Sequence, residues 1–166
     1  MQKGIIIGGS QPQPACEAVR CIHGSALGAS VRAKSFRSEA WLPPASAPAL
    51  RANILAIVSF ALNRVYTEFY RSRGYNFDIT NSTAYDQFFV NGRSYFTNVA
   101  RLVDELFDDY LRRPGFVEPL AAKFCNGTTV TCKGMSQWGT VSLAESGLSP
   151  IQILRRYYAG CVERAK

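Results

Sequence analysis

One stretch of the chain decides the fold: residues 48–72 read PALRANILAIVSFALNRVYTEFYRS. Apolar residues recur in this stretch at intervals of three and four, the spacing of one helix face. They are Leu50, Ile54, Ile57, Ala61 and Val65, with Val58, Leu62 and Phe69 beside them. Because Pro48 suits a first helical turn, the pattern predicts a helix at about residues 48–72. Its apolar side is broad enough to lie in the centre of a core.

Shorter elements are predicted after this helix. In chain order they are a strand at 75–80, a second at 88–90, a helix from Phe96 to Arg112, an extended segment at 116–124, a hairpin with its turn at 126–127, a helix at about 136–146, and a last helix starting at Ser149-Pro150. The last start carries Gln152, which completes a capping box. We therefore expect an α+β fold: a long central helix, small antiparallel strands or hairpins, and two short C-terminal helices.

Composition places the chain among globular proteins. Hydrophobic residues make up 47% of the 166 residues and charged residues 19%, which excludes a disordered chain. The net charge of +7 suits a polyanionic partner such as cell wall or nucleic acid. The basic residues form no stripe and the aromatic residues fall at core spacings, so we expect no nucleic-acid partner. We also expect no transmembrane segment, because no apolar stretch is long enough to span a bilayer.

The first 48 residues differ from the rest. They are rich in Ala, Ser, Pro and Arg, and their apolar positions follow neither helical nor strand spacing. The apolar run at residues 5–7 is shorter than a signal peptide needs, so we expect no signal peptide. The change at residue 48 is abrupt, as in a fragment or a frame-shifted reading. We divide the chain into an irregular, non-native segment at 1–48, a domain at 49–160 and a tail at 161–166.

Two further groups of residues have chemical alternatives. Cys125 and Cys132 flank a predicted hairpin turn, so they form a disulfide, contribute two ligands to a zinc site, or are unrelated thiols. No other cofactor is indicated. The segment 134–139, GMSQWG, holds Ser136, Gln137 and Trp138 between two glycines. It is either a sugar-binding segment or a turn and helix start with Trp138 in the core, and the residue types alone favour the latter.

Three segments together resemble the sporulation stage II protein D (SpoIID) family, also called the amidase-enhancer LytB domain, in its clostridial-type, peptidoglycan-associated branch. Residues 49–64 look like the family helix ALKAQAVAARTYAL, and DITNSTAYDQ at 78–87 is similar to its Asp…Ser-Thr…Gln segment. The GMSQWG segment, with LAESG at 143–147 and ILRRYY at 153–158, resembles the family's C-terminal signature. The likeness covers about residues 49–160.

The resemblance implies a peptidoglycan-directed domain at the cell envelope or spore, acting in cell-wall remodelling during sporulation. Its implied partners are glycan strands and a cell-wall amidase. By this likeness Tyr85, Gln87, Ser136, Gln137 and Trp138 bind substrate. The domain is either a lytic transglycosylase that cleaves glycan strands, or a non-catalytic peptidoglycan-binding and amidase-enhancing module.

In the family's enzymes one Glu protonates the glycosidic oxygen, and the sugar's own 6-hydroxyl closes an anhydro ring. Here Ala40 stands at the position of that Glu, and Glu39 lies one residue away, so Glu39 is the candidate catalytic acid. The His-Gly that commonly precedes the family's Gly-Met-Ser-Gln is replaced by Thr131-Cys132. With Glu39 displaced, we expect weak or no cleavage and retained affinity for glycan through Trp138.

Overall fold

A computed structural model describes residues 47–82, 84–87, 97–125, 134–158 and 162–166. In these ranges the chain forms four α-helices, a 3₁₀ turn at Arg71–Arg73 and two strands. The helices are α1 (Ala47–Tyr66), α2 (Thr97–Leu106), α3 (Gln137–Glu145) and α4 (Pro150–Tyr157); the strands are β1 (Tyr110–Arg112) and β2 (Glu163–Ala165). The predicted α+β class is confirmed. No described helix is both long enough and apolar enough to cross a membrane.

Helix α1 lies in the centre, as its broad apolar stripe predicts. Of its 20 residues 14 are buried, because α2, α3, α4 and β1 all pack against it. On one side Ile54, Ile57 and Val58 meet apolar residues of α2, including Val103 and Leu106. On the other side a second apolar cluster joins α1 to α3 and α4; it includes Ala52, Leu55, Ala56, Met135, Ala144, Ile153 and Leu154.

Helix α1 ends six residues before the predicted end at residue 72. The backbone N–H of Phe69 donates to the Arg64 carbonyl at 3.1 Å, and that of Glu68 donates to the Val65 carbonyl at 3.1 Å. These two bonds form a Schellman motif, with Glu68 in the left-handed conformation at φ 47°. The side chain of Thr67 also donates to the Asn63 carbonyl at 2.7 Å. These local bonds end the helix although the apolar spacing continues to Phe69.

The second helix is shorter than predicted as well. The spacing indicates a helix up to Arg112, but α2 ends at Leu106 and Tyr110–Arg112 forms β1. β1 pairs antiparallel with β2, with Leu111 opposite Arg164. Leu111 is fully buried and its N–H donates to the Ser59 hydroxyl of α1 at 2.7 Å. The segment 161–166, which the sequence predicts to be a tail, therefore contains β2.

The remaining elements agree in part with the predictions. Helices α3 and α4 are confirmed, and the Gln152 side chain accepts a hydrogen bond from the Ser149 N–H at 2.9 Å in the predicted capping box. Residues 75–79 are irregular instead of forming a strand. The segment 116–124 has only isolated bridges, at Pro119 and Phe124. The strand predicted at 88–90 and the hairpin turn at 126–127 lie outside the described residues.

Candidate functional site

The segment before α3 is held tightly against a neighbouring strand-like segment. Met135 is fully buried and forms a parallel bridge with Phe124; its N–H donates to the Lys123 carbonyl at 2.9 Å. A side chain at Gly134 would lie 2.7 Å from both the Cys125 sulfur and the Lys123 carbonyl oxygen. Only glycine allows this close approach. The first glycine of GMSQWG is therefore required by packing.

Ser136, Gln137 and Trp138 lie at the start of α3. Ser136 is its N-cap, and its hydroxyl accepts a hydrogen bond from the Gly139 N–H at 3.1 Å. A Cβ on Gly139 would collide with the Tyr157 hydroxyl of α4, so the second glycine also serves packing. Trp138 itself is 55% exposed. The alternative that places Trp138 in the core is wrong, and its indole is accessible to a ligand.

A buried polar network fixes α3 to α1. The side-chain amide of Asn53 donates to the Thr140 hydroxyl at 2.8 Å and to the Ala49 carbonyl at 2.8 Å. The Thr140 hydroxyl in turn donates to the Gln137 carbonyl at 2.5 Å. Hydrogen bonds of this kind are directional, so they set the position of the first turn of α3 on α1. The exposed Trp138 therefore projects from a fixed backbone.

The second candidate segment, residues 78–87, is tied to the other end of α1 by one carboxylate. The Asp86 side chain is fully buried and pairs with the Nε of Arg64 at 2.7 Å. Its second oxygen accepts from the Tyr70 hydroxyl at 2.6 Å, the Thr80 N–H at 2.9 Å and the Thr80 hydroxyl at 2.7 Å. Four donors thus compensate the burial of this charge. Asp86 is a positioning residue for its neighbours Tyr85 and Gln87.

Aromatic rings surround the buried Arg64. Its guanidinium lies 3.8 Å from the Phe69 ring centroid and 4.7 Å from that of Phe60, distances typical of cation–π contacts. Burial, followed by the hydrogen bond to Asp86, raises the pKa of Tyr70 to about 12. Tyr70 therefore stays protonated and continues to donate to Asp86 at ordinary pH. The segment 78–87 is thus fixed by a charge pair enclosed in rings.

The two predicted binding residues of this segment differ in their surroundings. Tyr85 is 58% exposed, whereas Gln87 is buried. Neither the oxygen nor the nitrogen of the Gln87 amide has a hydrogen-bond partner in the part of the chain that the structure describes. Buried polar atoms without a partner are unusual in folded proteins, and a ligand is one of the groups that satisfies them.

The two candidate segments lie on one side of α1. Asn53 contacts α3 and Arg64 contacts the segment 78–87. Eleven residues separate Asn53 from Arg64 in the helix. These anchors are therefore about 16 Å apart along the helix axis and about 20° apart around it. The structure thus anchors the two segments that carry the predicted binding residues at separate points of α1.

Cys125 is disulfide-bonded. Cys132, its predicted partner, lies outside the described residues, so this pairing stays a prediction. A sulfur in a disulfide is not a thiolate ligand, so the zinc alternative requires the reduced chain. The described residues contain no group of three or more metal-ligating side chains.

The candidate catalytic acid, Glu39, also lies outside the described residues. Sequence reasoning missed the residues that hold the site together, Asn53, Arg64 and Asp86. One signal was present: all three are polar or charged residues within segments chosen for their likeness to the family. Nothing in the spacing alone shows that Asp86 is buried while its neighbour Tyr85 is exposed.

Comparison with known proteins adds no relative. No protein-family model, no curated protein and no solved structure matches the chain significantly. The resemblance to the sporulation stage II protein D family therefore depends on the residues quoted above and stays a prediction.

Proposed function

We propose that this chain is a peptidoglycan-directed domain that binds glycan strands through exposed aromatic residues on two segments anchored to α1. The observation that carries the proposal is the pair of exposed aromatic residues, Trp138 and Tyr85. Each of them is adjacent in sequence to a residue that accepts a hydrogen bond in one of the two anchoring networks. Aromatic rings offer apolar faces to the C–H groups of a pyranose, while their polar edges reach hydroxyl groups.

The spacing of the two groups favours a polymer over a small molecule. Their anchors on α1 are about 16 Å apart along the helix axis, so the two groups are held at separate places. An extended strand can contact the two groups at different sugars. The amide of Gln87, which has no hydrogen-bond partner among the described residues, supplies a donor and an acceptor of the kind that binds an N-acetyl group.

Binding is better supported than cleavage. In the segment 78–87 the carboxylate of Asp86 is engaged by four donors and that of Asp78 pairs with Arg71, so neither is a free acid. Glu39 is the candidate acid for a transglycosylase reaction through the resemblance alone. A domain that binds strands without cutting them would act as the amidase-enhancing module of the alternative prediction.

Co-sedimentation with purified sacculi tests the proposal. We expect Trp138→Ala to weaken binding at least about tenfold, or about 1.4 kcal/mol, because the ring supplies the main apolar contact. Tyr66→Ala is the matched control, since Tyr66 is 56% exposed but lies on the opposite side of α1 from Asn53. Equal binding by the wild type and Trp138→Ala, with both chains folded, would remove the basis of the proposal.

Muropeptide analysis of sacculi that were incubated with the chain separates an enzyme from a binder. Products with 1,6-anhydro ends appear only if the chain cleaves strands. We expect few or none from the wild type and no difference in Glu39→Gln, with Glu68→Gln as the control carboxylate. Abundant anhydro products that disappear in Glu39→Gln would instead establish a transglycosylase with Glu39 as its acid.

A further inference from the structure

A group of aromatic rings beyond the Arg64 end of α1 combines Tyr70, which belongs to the Asp86 network, with Tyr75 and Phe77, which have no part in that network. The ring of Tyr70 lies 4.8 Å from Phe77 and 6.1 Å from Tyr75, and Tyr75 lies 5.3 Å from Phe77, all between ring centroids. Tyr75 is nevertheless 54% exposed. Its ring is therefore supported by two others while much of its surface meets solvent.

The backbone that carries Tyr75 is fixed. Its N–H donates to the Tyr70 carbonyl at 3.1 Å, and Gly74, at φ 83°, closes the 3₁₀ turn with a bond to the Arg71 carbonyl at 2.9 Å. Arg71 then pairs with both oxygens of Asp78, at 2.5 and 3.0 Å. The pairing of Arg71 with Asp78 closes a short loop that contains Tyr75 and Phe77. The orientation of their two rings is therefore preorganised for a ligand.

This ring group is continuous with the candidate glycan site. The hydroxyl of Tyr70 donates to Asp86 at 2.6 Å, and Asp86 directly follows the exposed Tyr85. Tyr75 contacts Tyr70, so its ring lies close to the segment that carries Tyr85. Three exposed aromatic residues, Trp138, Tyr85 and Tyr75, thus belong to segments tied to α1 or to its end.

The charges near the rings indicate an uncharged ligand. Arg71 pairs with Asp78, and Arg64 pairs with Asp86. Arg73 lies 3.8 Å from the Phe69 ring centroid and has no carboxylate partner among the described residues. One unpaired cation is fewer than the several that a phosphate backbone needs. A neutral ligand with apolar ring faces and hydroxyl groups fits this surface.

We propose that Tyr75, supported by Tyr70 and Phe77, forms an additional subsite that stacks on one pyranose of an extended glycan strand. This inference rests on the proposed function, because it lengthens the same binding surface by one position. A strand that contacts Tyr75 as well as Trp138 and Tyr85 must be longer than one that contacts only the latter two, so the subsite acts on long strands. Tyr75 would therefore determine the preferred length of the ligand.

Binding of peptide-free glycan strands, fractionated by length, tests this subsite. We expect Tyr75→Ala to weaken binding of long strands about two- to tenfold and to leave the shortest binding fragment unaffected. Tyr75→Phe keeps the ring and should bind long strands as the wild type does. Tyr66→Ala, which removes an exposed tyrosine at the end of α1, is the control. Thermal midpoints verify that each variant is folded.

The outcomes distinguish the two proposals. If Trp138→Ala loses affinity and Tyr75→Ala binds long strands as well as the wild type, the subsite is refuted and the proposed function stands. If neither variant loses affinity, both proposals fail. Salt-dependent binding of single-stranded DNA that is lost in Tyr75→Ala would also overturn the subsite, by showing that the rings stack on bases.

Discussion

At the scale of single residues, the candidate site depends on the hydrogen bonds of a few buried polar side chains. Asp86 accepts from Arg64, Tyr70 and Thr80, and Asn53 joins α1 to Thr140 of α3. The sequence located the segments around these residues by likeness to a family. It could not show which neighbour is buried, because Tyr85, Asp86 and Gln87 follow each other without a regular period that would separate inside from outside.

Glu68 is held in a conformation that disfavours side chains. Its φ of 47° ends α1 at a position where glycine is usual. We expect Glu68→Gly to raise the free energy of unfolding by about 0.5–1 kcal/mol, because glycine relieves the left-handed strain at some cost in chain entropy. Urea denaturation measures this. The control Glu68→Ala removes the charge but keeps the Cβ, and a similar gain in that variant would assign the effect to charge instead.

Gly139 packs beneath the hydroxyl of Tyr157. Gly139→Ala should therefore destabilise the chain by about 1–3 kcal/mol through overpacking. In a Tyr157→Phe background the same change should cost less, because the colliding oxygen is gone. A double-mutant cycle of unfolding free energies gives the coupling between the two positions. Additive effects would mean that this contact is not what requires a glycine.

At the scale of elements, the helices could be predicted and their ends only in part. Apolar spacing identified α1, Gly147 indicated the end of α3, and the capping box fixed the start of α4. Apolar spacing also predicted too long a second helix. The spacing continues through Tyr110, although Tyr110 is the first residue of β1. The partner of β1 is β2, more than fifty residues later, and such a long-range pairing leaves no local signal in the sequence.

The central position of α1 predicts different costs for two truncations on its apolar stripe. Ile57 is buried between neighbouring elements, whereas Val65 is only half-buried near the helix end. Ile57→Ala should lower the free energy of unfolding by about 2–4 kcal/mol, because it leaves a cavity that the packed core cannot fill. Val65→Ala should cost clearly less. Chemical denaturation compares them, and equal small losses would show that α1 is not central.

At the scale of the whole molecule, buried tyrosines predict how stability depends on pH. Burial, helped by the bond to Asp86, raises the pKa of Tyr70 to about 12, and burial also raises the pKa of Tyr158. An unfolded tyrosine releases its proton near pH 10. The unfolded chain therefore loses protons first, and stability should fall as the pH rises from about 10 to 12.

Thermal midpoints measured between pH 9 and 12 test this expectation. Tyr70→Phe should make the fall shallower without abolishing it, because Tyr158 still contributes. Tyr66→Phe, at an exposed position, should leave the slope unchanged. An identical slope in Tyr70→Phe and the wild type would contradict the assignment of Tyr70.

The arrangement of the whole site follows from α1. A helix that repeats its face after eleven residues brings Asn53 and Arg64 to one side, and these two residues hold the segments of Trp138 and Tyr85. The likeness to a peptidoglycan family named candidate binding residues but could not show how their segments are anchored. That anchoring depends on how distant segments pack on the helix, and the two separate anchors are the basis for proposing a strand as the ligand.

Fluorescence of Trp138 during titration with glycan strands tests the central claim most directly. The chain has two tryptophans, so Trp41→Phe leaves Trp138 as the single reporter. Peptide-free strands should produce a saturable blue shift of its emission, because stacking on a sugar replaces water at the exposed indole, and Tyr66→Ala in this background should not alter the titration. An unchanged spectrum at strand concentrations that saturate known glycan-binding proteins, with the chain still folded, would contradict glycan binding through Trp138.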